Sequence, residues 1–121
     1  MDEQTFKNRT KSFALEIVRL VESLPHSKIA AVLGKQLLRA GTSVGANYRA
    51  ACRGKSTADV INKLSIVEEE ADESIYWMEL LVDGRVVLPE RVSAQIKEAN
   101  ELLAMTVASI KTMRFRNQRA S

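Results

Sequence analysis

An all-α fold, an antiparallel up-down four-helix bundle, is what this sequence predicts. Three observations carry the prediction. Apolar residues recur at helical spacing in four long stretches, short breaks containing proline, glycine or serine separate the stretches, and strand punctuation is scarce. The 121 residues include only two prolines and five glycines, with 45% apolar and 27% charged residues, which suits a single globular helical domain.

Helix one is placed at about Thr5 to Ser23, with Phe6, Thr10, Phe13, Ile17, Leu20 and Leu24 on one face. Leu24-Pro25 ends it, because a residue before proline is pushed out of the α region. Ser27 caps helix two, about Lys28 to Arg53, whose core stripe reads Ile29, Leu33, Leu37, Ala40, Val44 and Ala51. Gly54-Lys55-Ser56 is a stop followed by a fresh cap. Helix three, about Thr57 to Val82, turns Val60, Leu64, Val67, Ala71, Ile75, Met78 and Val82 inward, and Asp83-Gly84 closes it. Leu88-Pro89-Glu90 opens helix four, with Val92, Ile96, Ala99, Leu103, Val107, Ile110 and Met113 inward. Residues 1–113 form the bundle domain, and 114–121 are expected as a basic, disordered tail. Short loops make sequential helices antiparallel neighbours.

Charge is segregated along the chain. His26 to Ala58 carries six cations and no acid, whereas Asp59 to Asp83 carries eight acids against Lys63 alone. Lys111, Arg114, Arg116 and Arg119 follow with no acid up to Ser121. On a helical wheel Lys28, Lys35, Arg39, Arg49 and Arg53 form one ribbon opposite the helix-two core. A solvated face is the plain alternative, but no acid interrupts the ribbon and three of the five are arginine. Gly34, Gly41, Gly45 and Cys52 form a second line on helix two. An interior glycine costs about 1 kcal/mol against alanine, so the line implies close approach by a bundle partner or by another protomer.

Helix three carries a third stripe, with Ile66 and Trp77 off the core line beside Glu70 and Glu73, which marks a protomer contact. The competing reading is that Trp77 flanks the core. A cationic helix two and an anionic helix three favour a head-to-tail contact that closes into a homo-oligomeric ring.

Catalytic and metal chemistry lack their residues. One histidine, His26, cannot complete a di-iron or zinc site, so no metal or other cofactor is expected. Cys52 has no histidine in its helix to activate it, and Glu68-Glu69-Glu70 point in three directions. Gly41-Thr42-Ser43-Val44-Gly45 lacks the lysine-Ser/Thr ending of a phosphate loop and lies inside a helical pattern. No apolar run approaches the roughly 18 residues of a membrane span. The polar N-terminal stretch and lone cysteine give a cytoplasmic expectation, with no membrane partner.

Two segments resemble a known family: Gln36 to Arg49, reading Gln-Leu-Leu-Arg-Ala-Gly-Thr-Ser-Val-Gly-Ala-Asn-Tyr-Arg, and Asp59 to Leu81. They are similar to the bacterial four-helix bundle proteins encoded in intervening sequences of 23S ribosomal RNA genes, and the likeness spans about Phe6 to Met113. The resemblance implies a homopentameric ring. It also implies a fold shared with the accessory variability determinant of diversity-generating retroelements, a basic pentamer that works with a reverse transcriptase and RNA. Many family members read Asn-Ile-Ala-Glu-Gly where this chain has Asn47-Tyr48-Arg49-Ala50-Ala51, which places it in a more basic subgroup. Arg39, Ser43 and Asn47 carry over as motif positions, with Ser43 and Asn47 expected to hydrogen-bond across helices and Arg39 to meet a neighbouring protomer or a phosphate.

The functional expectation is a non-catalytic oligomeric accessory protein that binds RNA, or less favourably DNA, through Lys35, Arg39, Arg49, Arg53, Arg114, Arg116 and Arg119. Only Tyr48 interrupts the ribbon as an aromatic, so binding is expected to be led by the backbone. The alternative is a protein scaffold whose charged faces serve assembly and recruit a partner enzyme such as a reverse transcriptase.

Overall fold

The computed structural model describes residues 2–120, the side chain of Ala120 excepted; Met1 and Ser121, the outer ends of the expected domain and tail, lie outside them. The described residues form α1 (Glu3–Glu22), α2 (Lys28–Cys52), α3 (Thr57–Asp83), a 3-10 turn (Pro89–Arg91) and α4 (Ser93–Ala120), with no strand. Helix starts follow their caps. The Asp2 carboxylate accepts from Thr5 N at 3.0 Å, Ser27 Oγ from Ala30 N at 3.1 Å and Ser56 Oγ from Asp59 N at 3.1 Å. Asp59 returns the favour by accepting from Lys55 N at 3.1 Å, so two otherwise orphaned amides are satisfied at the start of α3. The α3 stop differs in detail from the expected one: the left-handed residue is Arg85 (φ 60°), one past Gly84.

Packing runs α1 against α2, α2 against α3 and α3 against α4, with α4 closing more lightly on α1. All six residues of the α1 stripe are buried as expected. The glycine line of α2 meets α1: a Cβ on Gly34 would lie 2.9 Å from Leu24 Cδ1, on Gly41 2.9 Å from Ile17, and on Gly45 3.2 Å from Thr10 Oγ1. The partners run Leu24, Ile17, Thr10 as α2 runs 34, 41, 45, which shows the antiparallel register directly. Of the two explanations for the glycines, the bundle's own α1 is the one realised.

That contact rotates α2 relative to the expected wheel. Ala30, Gly34, Leu37, Gly41, Val44, Tyr48 and Ala51 face inward, so Ile29, assigned to the core from sequence, is 61% exposed. In α4 the fully buried positions are Ala99, as expected, and Leu102 and Thr106, while Leu103 and Val107 are half-buried. Thr106 tolerates burial because its Oγ1 donates to Leu102 O at 2.7 Å, within its own helix. Pro89 heads the 3-10 turn rather than α4 itself, and buried Val92, at φ −121°, separates the two.

Two polar ties fix the bundle's sides. Arg9 on α1 clamps Glu98 on α4 through Nε at 3.0 Å and Nη2 at 2.6 Å, closing the lighter seam. Arg39 on α2 donates to Glu70 at 2.9 Å and also pairs with Glu73, whose same oxygen accepts from Trp77 Nε1 at 3.0 Å.

The close approach of α1 is testable at single atoms. Gly41→Ala should destabilise by about 1–3 kcal/mol in urea unfolding despite the helix propensity it gains, because its Cβ enters the Ile17 side chain. Gly45→Ala, with a looser contact, should cost less; equal or favourable effects at both sites would refute the steric account. The α2–α3 tie gives a pH test. The Trp77 hydrogen bond, then the Arg39 contact, hold the Glu73 carboxyl below the ordinary carboxylate range. A depressed folded pKa contributes stability above the unfolded value, about 4.3, that is lost as pH falls through the folded one. Glu73→Gln should therefore shrink the fall in Tm between about pH 5 and pH 3; an unchanged acid limb would contradict this.

Candidate nucleic-acid interface

Antiparallel packing brings the C-terminal turns of α2 and α4 to the same end of the bundle, beside the N-terminal turns of α1 and α3. A groove of about 650 Å³ shows the meeting point, lined among others by Glu3, Tyr48, Cys52, Leu64, Met113 and Arg116. The segments at this end (residues 2–8, 47–65 and 108–120) carry nine cations against three acids. That is a local charge of +6 in a chain whose total is +3, so the remainder of the molecule is net acidic. The charge segregation of the sequence becomes a polarity along the bundle axis.

Of the seven residues assigned to nucleic acid from sequence, the fold brings Arg49, Arg53, Arg114, Arg116 and Arg119 to this end. All five are exposed, and none has an ion-pair partner among the described residues. Lys35 lies at the other end, next to the Gly34–Leu24 contact. Arg39 sits between, committed to Glu70 and Glu73 of its own chain. The helix-two ribbon is thus not one surface: register divides it.

The residues assigned to a protomer contact also resolve. Glu70 and Glu73 meet Arg39 within the chain, so the complementarity expected between protomers is already met inside one at this point. Trp77 is half-buried, packs against the core and touches Tyr76 edge-on at 5.1 Å, while Ile66 is half-buried about three turns earlier on α3. Ser43 and Asn47, expected to bond across helices, instead donate to Arg39 O at 2.6 Å and Ser43 O at 2.8 Å along α2 itself. Short polar side chains on a helix reach the preceding turn more readily than a neighbour.

Two features were missed in the sequence. Lys7 and Lys11 on α1 join Arg49 around a groove of about 460 Å³ with no acid in its lining. Their i,i+4 spacing was visible, but which α2 residue they would meet required the register. The second is the tail. Arg114 to Arg119 continue α4 as helix rather than as the expected disordered segment, because Leu102, Thr106 and Ile110 anchor the preceding turns in the core and nothing breaks the pattern beyond them. Phe115 stands there 59% exposed. Tyr48, the one aromatic credited to the ribbon, is buried against Phe6 at 4.5 Å between ring centroids.

This end offers charge rather than reactivity. Burial pushes the Cys52 thiol up, against a Tyr48 hydrogen bond that lowers it, and burial also raises the Tyr48 phenol. Among the described residues no group of three or more His, Cys, Asp or Glu could hold a metal ion. No helix among them is long and apolar enough to cross a membrane.

The chain is similar to proteins known by family rather than by activity. No curated protein matches it. A crystal structure of a protein of unknown function from the S23 ribosomal protein family of Bacteroides thetaiotaomicron VPI-5482 is 37% identical, with a TM-score of 0.85, over 92% of this chain and 99% of that one. Residues 2–108 match the model of the 23S rRNA-intervening sequence proteins. With that match over most of its length, joined to the four-helix fold and the Arg39-to-Asn47 run, the chain belongs to the 23S rRNA-intervening sequence protein family.

Proposed function

We propose that this protein is a non-catalytic, cytoplasmic nucleic-acid-binding accessory protein, RNA being the favoured ligand, and that its contact surface is the basic end of the bundle. The observation that carries the reading is the convergence there of Arg49, Arg53, Arg114, Arg116 and Arg119 without ion-pair partners among the described residues. Exposed, unpaired arginines held on rigid helix ends suit phosphate oxygens, which they bind in a fork geometry. The family's link to 23S rRNA genes is compatible with an RNA ligand.

Assembly into a homo-oligomer is the second part of the proposal, and its support is a different surface. Ile29 and Val32 are 61% and 54% exposed on α2. The Arg39 contacts set α2 antiparallel to α3, so these residues lie level with the stretch of α3 beyond Glu73 that includes Trp77. Such a ridge fits a second copy, leaving the basic end outside the contact. The scaffold reading, in which charges serve assembly alone, is disfavoured by the internal pairing of Arg39.

Affinity for a labelled single-stranded RNA should fall with salt, with a slope near −3 in log K against log salt if about four phosphates are neutralised. Arg49→Glu with Arg53→Glu, and separately Arg114→Glu with Arg116→Glu, should each weaken binding more than tenfold and flatten the slope, while Lys35→Glu should change little. Absence of binding to RNA and DNA at about 50 mM salt, where phosphate contacts are strongest, would end this reading. For assembly, Ile29→Lys with Val32→Lys should yield smaller, still helical particles by light scattering. A wild-type protein already monomeric at micromolar concentration would rule the oligomer out.

A further inference from the structure

The basic end carries one side chain that phosphate binding does not account for. Beyond the core-anchored turns, every α4 side chain from Arg114 to Arg119 is exposed, although the stretch still runs beside its partner helices: Arg114 and Asn117 line a groove with Ala58 and Asn62 of α3, and Arg116 lines one with Glu3 of α1. Phe115 takes no part in the core of this end and is 59% exposed, although a large apolar ring is normally turned inward. Its surroundings are one face of α4, whose lining is Lys111, Thr112, Phe115, Arg116 and Arg119. Phe115 is the single apolar side chain of that lining, and three of its four neighbours are cations with no acid among them.

Helical geometry arranges these groups around the ring. Lys111 and Arg119 stand one turn before and one turn after Phe115, roughly 12 Å apart along the axis. The Arg119 guanidinium carbon lies 5.8 Å from the ring centroid, a cation–π distance. A hydrophobic protein partner would find one ring and three charges, a poor match. An unpaired nucleobase with a phosphate on either side presents the complementary set: a π face for the ring and anions for the flanking cations. In a duplex that face is already stacked on its neighbours, so only a single strand can use it.

We propose that the ligand of the basic end is a single-stranded nucleic acid, and that Phe115 is a base-stacking platform with Lys111, Arg116 and Arg119 on the adjoining phosphates. This rests on the nucleic-acid reading above and deepens it, turning a surface led by backbone contacts into one that distinguishes single strands from duplexes.

The test uses the full-length protein, a labelled oligouridylate and an RNA duplex of equal length, with binding followed by fluorescence anisotropy. Phe115→Ala and Phe115→Leu should each weaken single-strand binding by roughly five- to 150-fold, the range that loss of one stacked base gives. Phe115→Trp should retain it. Duplex affinity should stay within about twofold in all three variants, and the salt slope for the single strand should not change, because no phosphate contact is removed. Wild-type affinity for the single strand from Phe115→Leu would overturn the proposal, since leucine keeps apolar bulk but has no π face. Equal losses for strand and duplex would also overturn it, by showing that the ring supports the helix. So would a smaller particle for Phe115→Ala in light scattering, which would assign the ring to a second copy of the chain. If wild-type protein binds neither RNA, the nucleic-acid reading itself fails; if the arginine reversals abolish binding while the Phe115 variants behave as wild type, stacking alone fails.

Discussion

The antiparallel register of α1 against α2, set by the glycines of α2, is the constraint on which the other features depend. Gly34, Gly41 and Gly45 let Leu24, Ile17 and Thr10 approach α2 closely, most tightly at Gly41, where an added Cβ would lie 2.9 Å from Ile17. The rotation this imposes on α2 decides which of its residues are core, leaves Ile29 outside and sends Arg39 toward α3. Register also decides which cations share an end. Arg49 and Arg53 come to lie with the last turns of α4, whereas Lys35, on the same helix, is carried to the opposite end.

Helix electrostatics account for only part of the basic end. Cations near helix C-termini are favourable because they face the negative end of the dipole, each worth about 0.3–1 kcal/mol when exposed. That serves Arg49 in the last turn of α2 and Arg119 in the last turn of α4. It does not reach Lys111, Arg114 and Arg116, which lie earlier in α4. Mutual repulsion within a Debye length, about 8 Å at physiological salt, works against gathering them. An excess of unpaired arginine at one end therefore reads as a binding surface, and the exposed ring of Phe115 among these cations extends the same argument.

Much of the fold was legible in the sequence, and the reasons are local. Serine caps, Leu24-Pro25 and the six-residue stripe of α1 each act within a turn or two of chain, and the structure has them where expected. Ile29 was misplaced, and Leu102 and Thr106 were left off the core stripe, because a wheel gives the width of an apolar face but not its rotation against a neighbour. The site was half legible. Five of the seven cations singled out from sequence fall together at the basic end, since composition shows charge, but Lys7 and Lys11 needed the register and Arg39 needed its partner across helices. Phe115 was passed over through treating residues 114–121 as unstructured, though Arg114-Phe115-Arg116 was in plain view. Family membership, established over residues 2–108, ends before this segment, so the features proposed for Phe115 belong to the chain's own chemistry.

The central claim is that nucleic acid docks on one end of the bundle, and amide hydrogen exchange with and without a saturating single-stranded oligonucleotide tests it most directly. New protection should appear in residues 47–56 and 108–120, with none around the groove between Val82 and Ile96 at the far end. Protection centred on the far end or on the outer face of α2 and α3, with the last turns of α4 unaffected, would contradict the account.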